Sequence, residues 1–124
     1  MRERPDGAEL LAVAREVLLE ELLPLLPGDR AYSARMIANA MGIAERQLRS
    51  GDGPQEGARK ALSALLGREG ALPALMREFS VRIRQGQFDD SAEARELLWA
   101  STVQRARESA PKALSDEDRA SSVP

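Results

Sequence analysis

Apolar residues return every three to four positions through almost the whole of this 124-residue chain, and no stretch alternates apolar and polar over a strand's length. That period belongs to helices buried along one side. The supply of side chains agrees with it. Aromatics are 3% of the residues, so a core must be filled by Leu, Ala, Val, Ile and Met, a mixture that favours helix over sheet. The fold class expected is all-α, a compact antiparallel bundle of about five helices joined by short loops. A chain of this length supplies one domain, assigned to residues 1–111, with the polar and acidic residues 112–124 as a disordered tail.

Caps and breakers set the helix limits. The first helix is expected from Gly7 to Leu26, with Asp6 as N-cap, Glu9 as its capping-box partner and Pro5 just ahead. Leu10, Ala14, Val17, Leu18, Leu22 and Leu25 form its stripe, while Leu19, Leu23 and Leu26 lie on the far side. A helix apolar on two faces is either central in a bundle or pairs with another chain. Pro24 should kink or stop it, and Pro27-Gly28 ends it.

The second helix is expected from Arg30 or Ala31 to Arg49, burying Met36, Ile37, Ala40, Met41, Ala44 and Leu48. After the break at Gly51-Asp52-Gly53-Pro54, a third helix from Gln55 to Leu66 sets Ala58, Ala61, Leu62 and Leu65 on one face and stops at Gly67. The fourth, Leu72 to Gln85, carries Leu72, Leu75, Met76, Phe79 and Ile83 inward, with Gly86 as C-cap. Asp89, Asp90 or Ser91 caps a fifth helix reaching Ser109. It turns Ala94, Leu97, Leu98, Thr102 and Ala106 inward, with Trp99 beside them, and Pro111 ends it.

Two absences narrow the chemistry. With no Cys there is no thiol nucleophile, disulfide framework or zinc cluster. With no His the chain lacks the usual proton shuttle near neutral pH and the commonest transition-metal ligand. Ser-His-Asp chemistry and the Glu-x-x-His di-iron bundle are excluded, so Glu16 with Glu20 and Glu93 with Glu96 read as surface carboxylates. No glycine-rich phosphate loop is present, and no cofactor or metal site is assigned. An independent enzyme is disfavoured. The net charge of -2 argues against a nucleic-acid partner. The charged N-terminus holds no apolar run that could be a leader or membrane span, so the compartment expected is the cytoplasm.

The second helix holds the strongest local pattern. Arg35, Asn39, Gly42 and Arg46 are spaced four, three and four residues apart and therefore share one face, flanked by Tyr32 and Arg49. Guanidiniums on one face can grip phosphate or carboxylate in bidentate fashion, and Arg82 or Arg84 could assist. The alternative is a solvated polar face, or arginines paired with acids of the first helix. The same segment also mimics a DNA-reading helix-turn-helix, with Ile37, Ala38, Met41, Ile43 and Leu48 at its aliphatic and small positions and Gly42 supplying the turn. Glu21 falls between Val17 and Leu25 in the first helix's stripe. It is either a buried acid that needs a partner or a proton, or a rim residue reaching water. Arg105, among Leu98, Ser101 and Thr102, poses the same choice.

Several strings together resemble a known family. They are Arg4-Pro5-Asp6 followed by Ala8-Glu9-Leu10-Leu11, then Leu22-Leu23-Pro24, Ala34-Arg35, Ala38-Asn39-Ala40 and Ile43-Ala44-Glu45-Arg46-Gln47-Leu48-Arg49. Leu65-Leu66-Gly67, Gly70, and Arg82-Ile83-Arg84 with Gly86 and Asp89 continue it, so that it covers roughly residues 4 to 111. The chain resembles an uncharacterised bacterial family of short helical proteins, often encoded beside aminoglycoside-phosphotransferase-like kinases and acyl-CoA dehydrogenases. Its end departs from the family, with Ala110-Pro111-Lys112 in place of Asn-Pro before an aromatic. The resemblance implies a continuous second helix and a protein partner, a kinase-like or acyl-CoA dehydrogenase-like enzyme. It carries over no catalytic residue.

Three functions therefore stand open: a non-catalytic accessory or interaction protein, a homodimer through the first helix that works with a kinase-like or acyl-CoA dehydrogenase-like enzyme; an anion-binding module on Arg35, Asn39 and Arg46; and a DNA reader.

Overall fold

The computed structural model describes residues 4–120, and among them every regular element is helical. In chain order these are α1 (Gly7–Val17), a π-helical turn (Leu18–Leu22) and a 3-10 turn (Leu23–Leu25), then α2 (Gly28–Ser50), α3 (Gly53–Leu66) and α4 (Leu72–Arg84). α5 (Ala92–Ser109), a second 3-10 turn (Pro111–Ala113) and the short α6 (Asp116–Ala120) complete it. Contacts divide the chain into two compact units, Met1–Gly51 and Asp52–Pro124. Each is described by itself.

The first unit is an antiparallel helical hairpin. The capping box starts α1 as its sequence requires: Glu9 N–H donates to Asp6 Oδ1 at 2.9 Å and Asp6 N–H donates to Glu9 Oε2 at 3.1 Å. The helix then loosens rather than running straight to Leu26. Pro24 has no N–H for the carbonyl one turn back, and its ring would crowd that carbonyl. The chain opens into the π turn ahead of it, where Leu23 N–H reaches Leu18 O, and closes in the 3-10 turn. From Pro27 the chain returns as α2, which runs unbroken through Gly42.

The side on which these helices meet differs from the expectation. The buried residues of α2 are Ala31, Ala34, Ala38 and Gly42, and α1 contributes Ala8. Met36, Ile37, Ala40 and Leu48, expected inside, are exposed, and Met41 and Ala44 are half-buried. Leu10, Ala14 and Val17 on α1, and Leu22 and Leu25 in the turns after it, are likewise exposed. The small residues recur at helical spacing and let the two backbones approach closely, and that contact face outcompetes the larger aliphatics on the opposite sides. Glu21 lies along the line of Leu10 and Val17. Because that line faces outward, Glu21 is exposed and is no buried acid.

The second unit has a conventional core. Leu62 and Leu66 of α3, Leu75 and Phe79 of α4 and Ala94 of α5 are buried together, with Leu65, Leu72, Ile83, Phe88 and Leu97 packed against them. Phe79 and Phe88 meet edge to face at 5.3 Å between ring centroids. Gly67 (φ 72°) and Gly86 (φ 80°) end α3 and α4 in the left-handed region that a side chain would strain. Of the residues expected inside, Ala61, Met76, Leu98, Trp99 and Thr102 are exposed instead, because the core is centred on Leu62, Leu75 and Ala94 and these positions point past it. Arg105 is exposed too, reaching water as a rim residue. Ser91 is the residue that caps α5, its Oγ accepting from Ala94 N–H at 3.1 Å.

Pro111 opens the 3-10 turn, and Asp118 O accepts from Arg107 Nε at 2.9 Å, which draws α6 back to α5. Val103, on the opposite side of α5 from Ala94, is buried as well. The last four residues of the expected tail, and the first three of the charged N-terminus, lie outside the described residues.

Candidate functional site

The arginine-bearing face of α2 borders the contact with α1. Arg35 and Asn39 are exposed, Arg46 is half-buried and Gly42 is buried. The fifth participant comes from α1. Arg15 Nε donates to Ala38 O at 3.1 Å, across the hairpin. A Cβ on Gly42 would stand 3.3 Å from Arg46 Nη1 and 3.4 Å from Arg15 Nε. Both guanidiniums therefore rest on the one bare patch of helix backbone. Helical side chains lean toward the N-terminus, which carries the head of Arg46 back one turn to the level of Gly42. Asn39 lies about 4.5 Å from Gly42 along the axis and Arg35 about 10 Å, so Arg35 stands apart from the pair.

Two guanidiniums within about 7 Å repel each other by something on the order of 1 kcal/mol in a largely aqueous setting. Among the described residues no carboxylate pairs with Arg15, whereas Arg46 holds a further interaction of its own. Glu45 lies to the side and bonds Arg49 Nε at 2.9 Å, holding that guanidinium above its ordinary pKa. Glu21, either a buried acid in need of a partner or a rim residue on the sequence reading, is exposed in the π-helical turn.

Sequence reasoning missed Arg15, although a signal existed. A hairpin folded about Leu26–Pro27 sets residue 15 opposite residue 38, one turn from the glycine that leaves room for it.

Arg82 and Arg84 do not join this cluster as assistants. They belong to the second unit, where Arg82 Nη2 donates to Glu78 Oε1 at 3.1 Å and Nη1 to Leu66 O at 3.4 Å, closing the end of α3. Arg84 Nε turns back to Ser80 O at 3.4 Å. The buried Glu78 Oε2 lies 3.1 Å from Arg68 Nε without hydrogen-bond alignment, so Glu78 is held between two cations. A shallow groove of about 460 Å³ beside Ser63 and Gly67 is rimmed by Arg59, Lys60 and Arg68. Its arginines are already satisfied by Glu56, Glu69 and Glu78, which makes it a poor anion site.

The helix-turn-helix reading fails on geometry. Residues 36–48 form one continuous stretch of α2, and Gly42, its intended turn, is buried in mid-helix. Glu16, Glu20, Glu93 and Glu96 are all exposed, and among the described residues no group of acids is placed to hold a metal ion. No helix among them is long and apolar enough to cross a membrane.

The other prominent feature of the first unit is apolar. Leu10, Val13 and Val17 follow one side of α1 and are 56%, 58% and 39% exposed. Most of the exposed large apolar side chains of the described residues belong to this hairpin rather than to the second unit.

A family model described as Domain of unknown function (DUF6285) matches residues 24–113. The chain belongs to that family. No curated protein and no solved structure matches it. The DUF6285 stretch opens at Pro24, so it takes in α2 with Arg35, Asn39, Gly42 and Arg46, and continues through α5. α1, with Arg15 and the Leu10–Val17 stripe, precedes the matched residues, whereas the resemblance read from the sequence begins at Arg4.

Proposed function

We propose that this DUF6285 member is a non-catalytic, cytoplasmic interaction protein that engages its partner through the outward face of α1. The observation carrying this reading is an inversion of the usual order. The hairpin buries alanine and glycine between its helices and leaves Leu10, Val13 and Val17 in water. Fully burying a side chain of this kind stabilises by about 1.5–3 kcal/mol, so these three partly exposed ones contribute to a contact without supplying its whole affinity. A contiguous exposed apolar patch on a small chain is a common mark of an interaction surface.

The missing His and Cys support a non-catalytic role. The partner we propose is a phosphotransferase-like kinase or an acyl-CoA dehydrogenase, the enzymes that the family resemblance brings into view. A second copy of the chain is the competing occupant.

The experiment is affinity capture of the tagged chain at native expression, with light scattering on the purified protein. The reading expects an enzyme of one of these two types, identified by mass spectrometry, to be retained by the parent chain and lost from Leu10→Glu/Val17→Glu. A doubled mass that the same substitutions return to monomer would assign the face to self-association instead. Capture of neither enzyme, by a chain that stays monomeric, would contradict the proposal.

A further inference from the structure

We propose that the first unit is one half of a four-helix bundle, and that a second copy of the chain covers one flank of its hairpin. Two seams line that flank. On α1 and into the turn after it, Gly7, Leu11, Ala14 and Leu18 are spaced four, three and four residues apart, and on α2 Ile37, Met41, Ala44 and Leu48 repeat that spacing. This is the period of helices that pack in bundles. A Cβ on Gly7 would stand 3.5 Å from Leu48 Cδ1, so the two seams run side by side. Counting inward from that contact along antiparallel helices pairs Leu11 with Ala44, Ala14 with Met41 and Leu18 with Ile37 at successive levels. Ile37 and Leu48 are nevertheless 52% and 53% exposed, and Ala14 is exposed between them, which leaves the flank in water.

The flank fits itself. Its seams hold no charged residue, whereas helical spacing sets Glu9, Glu16, Arg35 and Arg46 on the other side of the hairpin. Two copies can therefore meet here without bringing like charges together. At three of the levels a large side chain is paired with a small one: Leu48 with Gly7, Leu11 with Ala44 and Met41 with Ala14. A two-fold axis parallel to the helices lays α1 of one copy over α2 of the other, and each large side chain then meets a small one across the interface. The face is about 20 Å wide and about 24 Å long, a footprint of about 500 Å². Side chains standing up from it bring the accessible area toward the roughly 800 Å² a side of a stable protein pair. Val13 and Val17, of the stripe offered to an enzyme, lie about a quarter turn or more from these seams, so the dimer does not rest on that reading.

Light scattering on the purified full chain tests the proposal. We expect a doubled mass, returned to monomer by Ile37→Glu/Leu48→Glu and kept by Val13→Glu/Val17→Glu, with circular dichroism showing both variants as helical as the parent. The absence of native Cys allows a second measurement that adds no charge to the flank. When Leu11→Cys and Ala44→Cys chains are mixed and mildly oxidised, a mixed disulfide should link them, and Glu16→Cys mixed with Ala44→Cys should give none. Three results would each overturn the proposal: a parent chain that stays monomeric at high micromolar concentration, a doubled mass that survives Ile37→Glu/Leu48→Glu or is lost with Val13→Glu/Val17→Glu, and no mixed disulfide between the Leu11→Cys and Ala44→Cys chains. Enzyme capture plays no part in these readings, so the two surfaces stand or fall separately.

Discussion

The Nε of Arg15 on α1 donates to the backbone carbonyl of Ala38 on α2 across 3.1 Å, a hydrogen bond that joins the side chain of one helix to the backbone of the other. Because Ala38 is buried, this contact fixes the level at which the helices meet and sets Arg15 over Gly42. Replacing Arg15 with Met keeps an apolar stem and removes the donor. We expect a loss of about 1 kcal/mol in local stability, the usual net worth of such a bond. Faster hydrogen exchange at the Gly42 amide would report it. Unchanged protection there would show that the bond is incidental.

Gly42 sits between two opposing effects. Alanine in mid-helix gains about 1 kcal/mol over glycine in helix propensity. Against this, its Cβ must displace the mobile tip of Arg46 and press on Arg15 Nε, which is tied to Ala38. We expect Gly42→Ala to change stability by less than about 1 kcal/mol, while Gly42→Leu loses about 1–3 kcal/mol by overpacking. Thermal melts followed by circular dichroism would separate the two. Equal melting temperatures for Ala and Leu would refute a close helix contact at this position.

The two units should respond differently to truncation. Leu75 is 0% exposed in the core of the second unit, so Leu75→Ala should cost about 2–5 kcal/mol. Leu10 has a side chain of the same type and is more than half exposed, so Leu10→Ala in the unbound chain should stay within about 0.5 kcal/mol. Urea unfolding of both variants checks the contrast. A large loss for Leu10→Ala would mean that this face is covered within the chain.

Much of this was legible in the sequence. Asp6 and Glu9 announced the capping box, Pro24 the end of the first helix, and Leu72, Leu75, Phe79 and Ile83 the inner side of α4. Gly67 and Gly86 marked helix ends through the backbone conformation they supply. The facing of the first two helices was not legible, because periodicity ranks Leu, Ile and Met above Ala. It cannot show that Ala31, Ala38 and Gly42 gain by letting a second backbone come close. For the same reason Arg35, Asn39 and Arg46 could be placed on one face, but the residue that completes the cluster, Arg15, depends on where the hairpin folds. Glu21 followed its stripe outward, and only the choice of contact side decided its fate.

Acid should loosen the start of α3. Glu56 accepts from Arg59 at 2.6 Å and 3.0 Å, and these hydrogen bonds hold its carboxyl below the ordinary glutamate value. A depressed folded-state pKa means that the contribution is present above the unfolded pKa and is lost as pH falls through the folded one. The pair is exposed, so the effect on overall stability should be small. An NMR titration should find the Glu56 midpoint below that of an ordinary glutamate, and Arg59→Gln should raise it. A midpoint indifferent to Arg59→Gln would contradict this account.

The central claim is that the outward stripe of α1 is a contact surface, and a matched pair of substitutions tests it most directly. Leu10→Glu/Val17→Glu places charge on the stripe, and Met76→Glu places charge on a comparably exposed apolar residue of the second unit. Capture of partner from the native source should fail for the first, persist for the second, and leave both chains as helical as the parent. Partner retained by all three chains, or lost equally from both variants, would contradict the account.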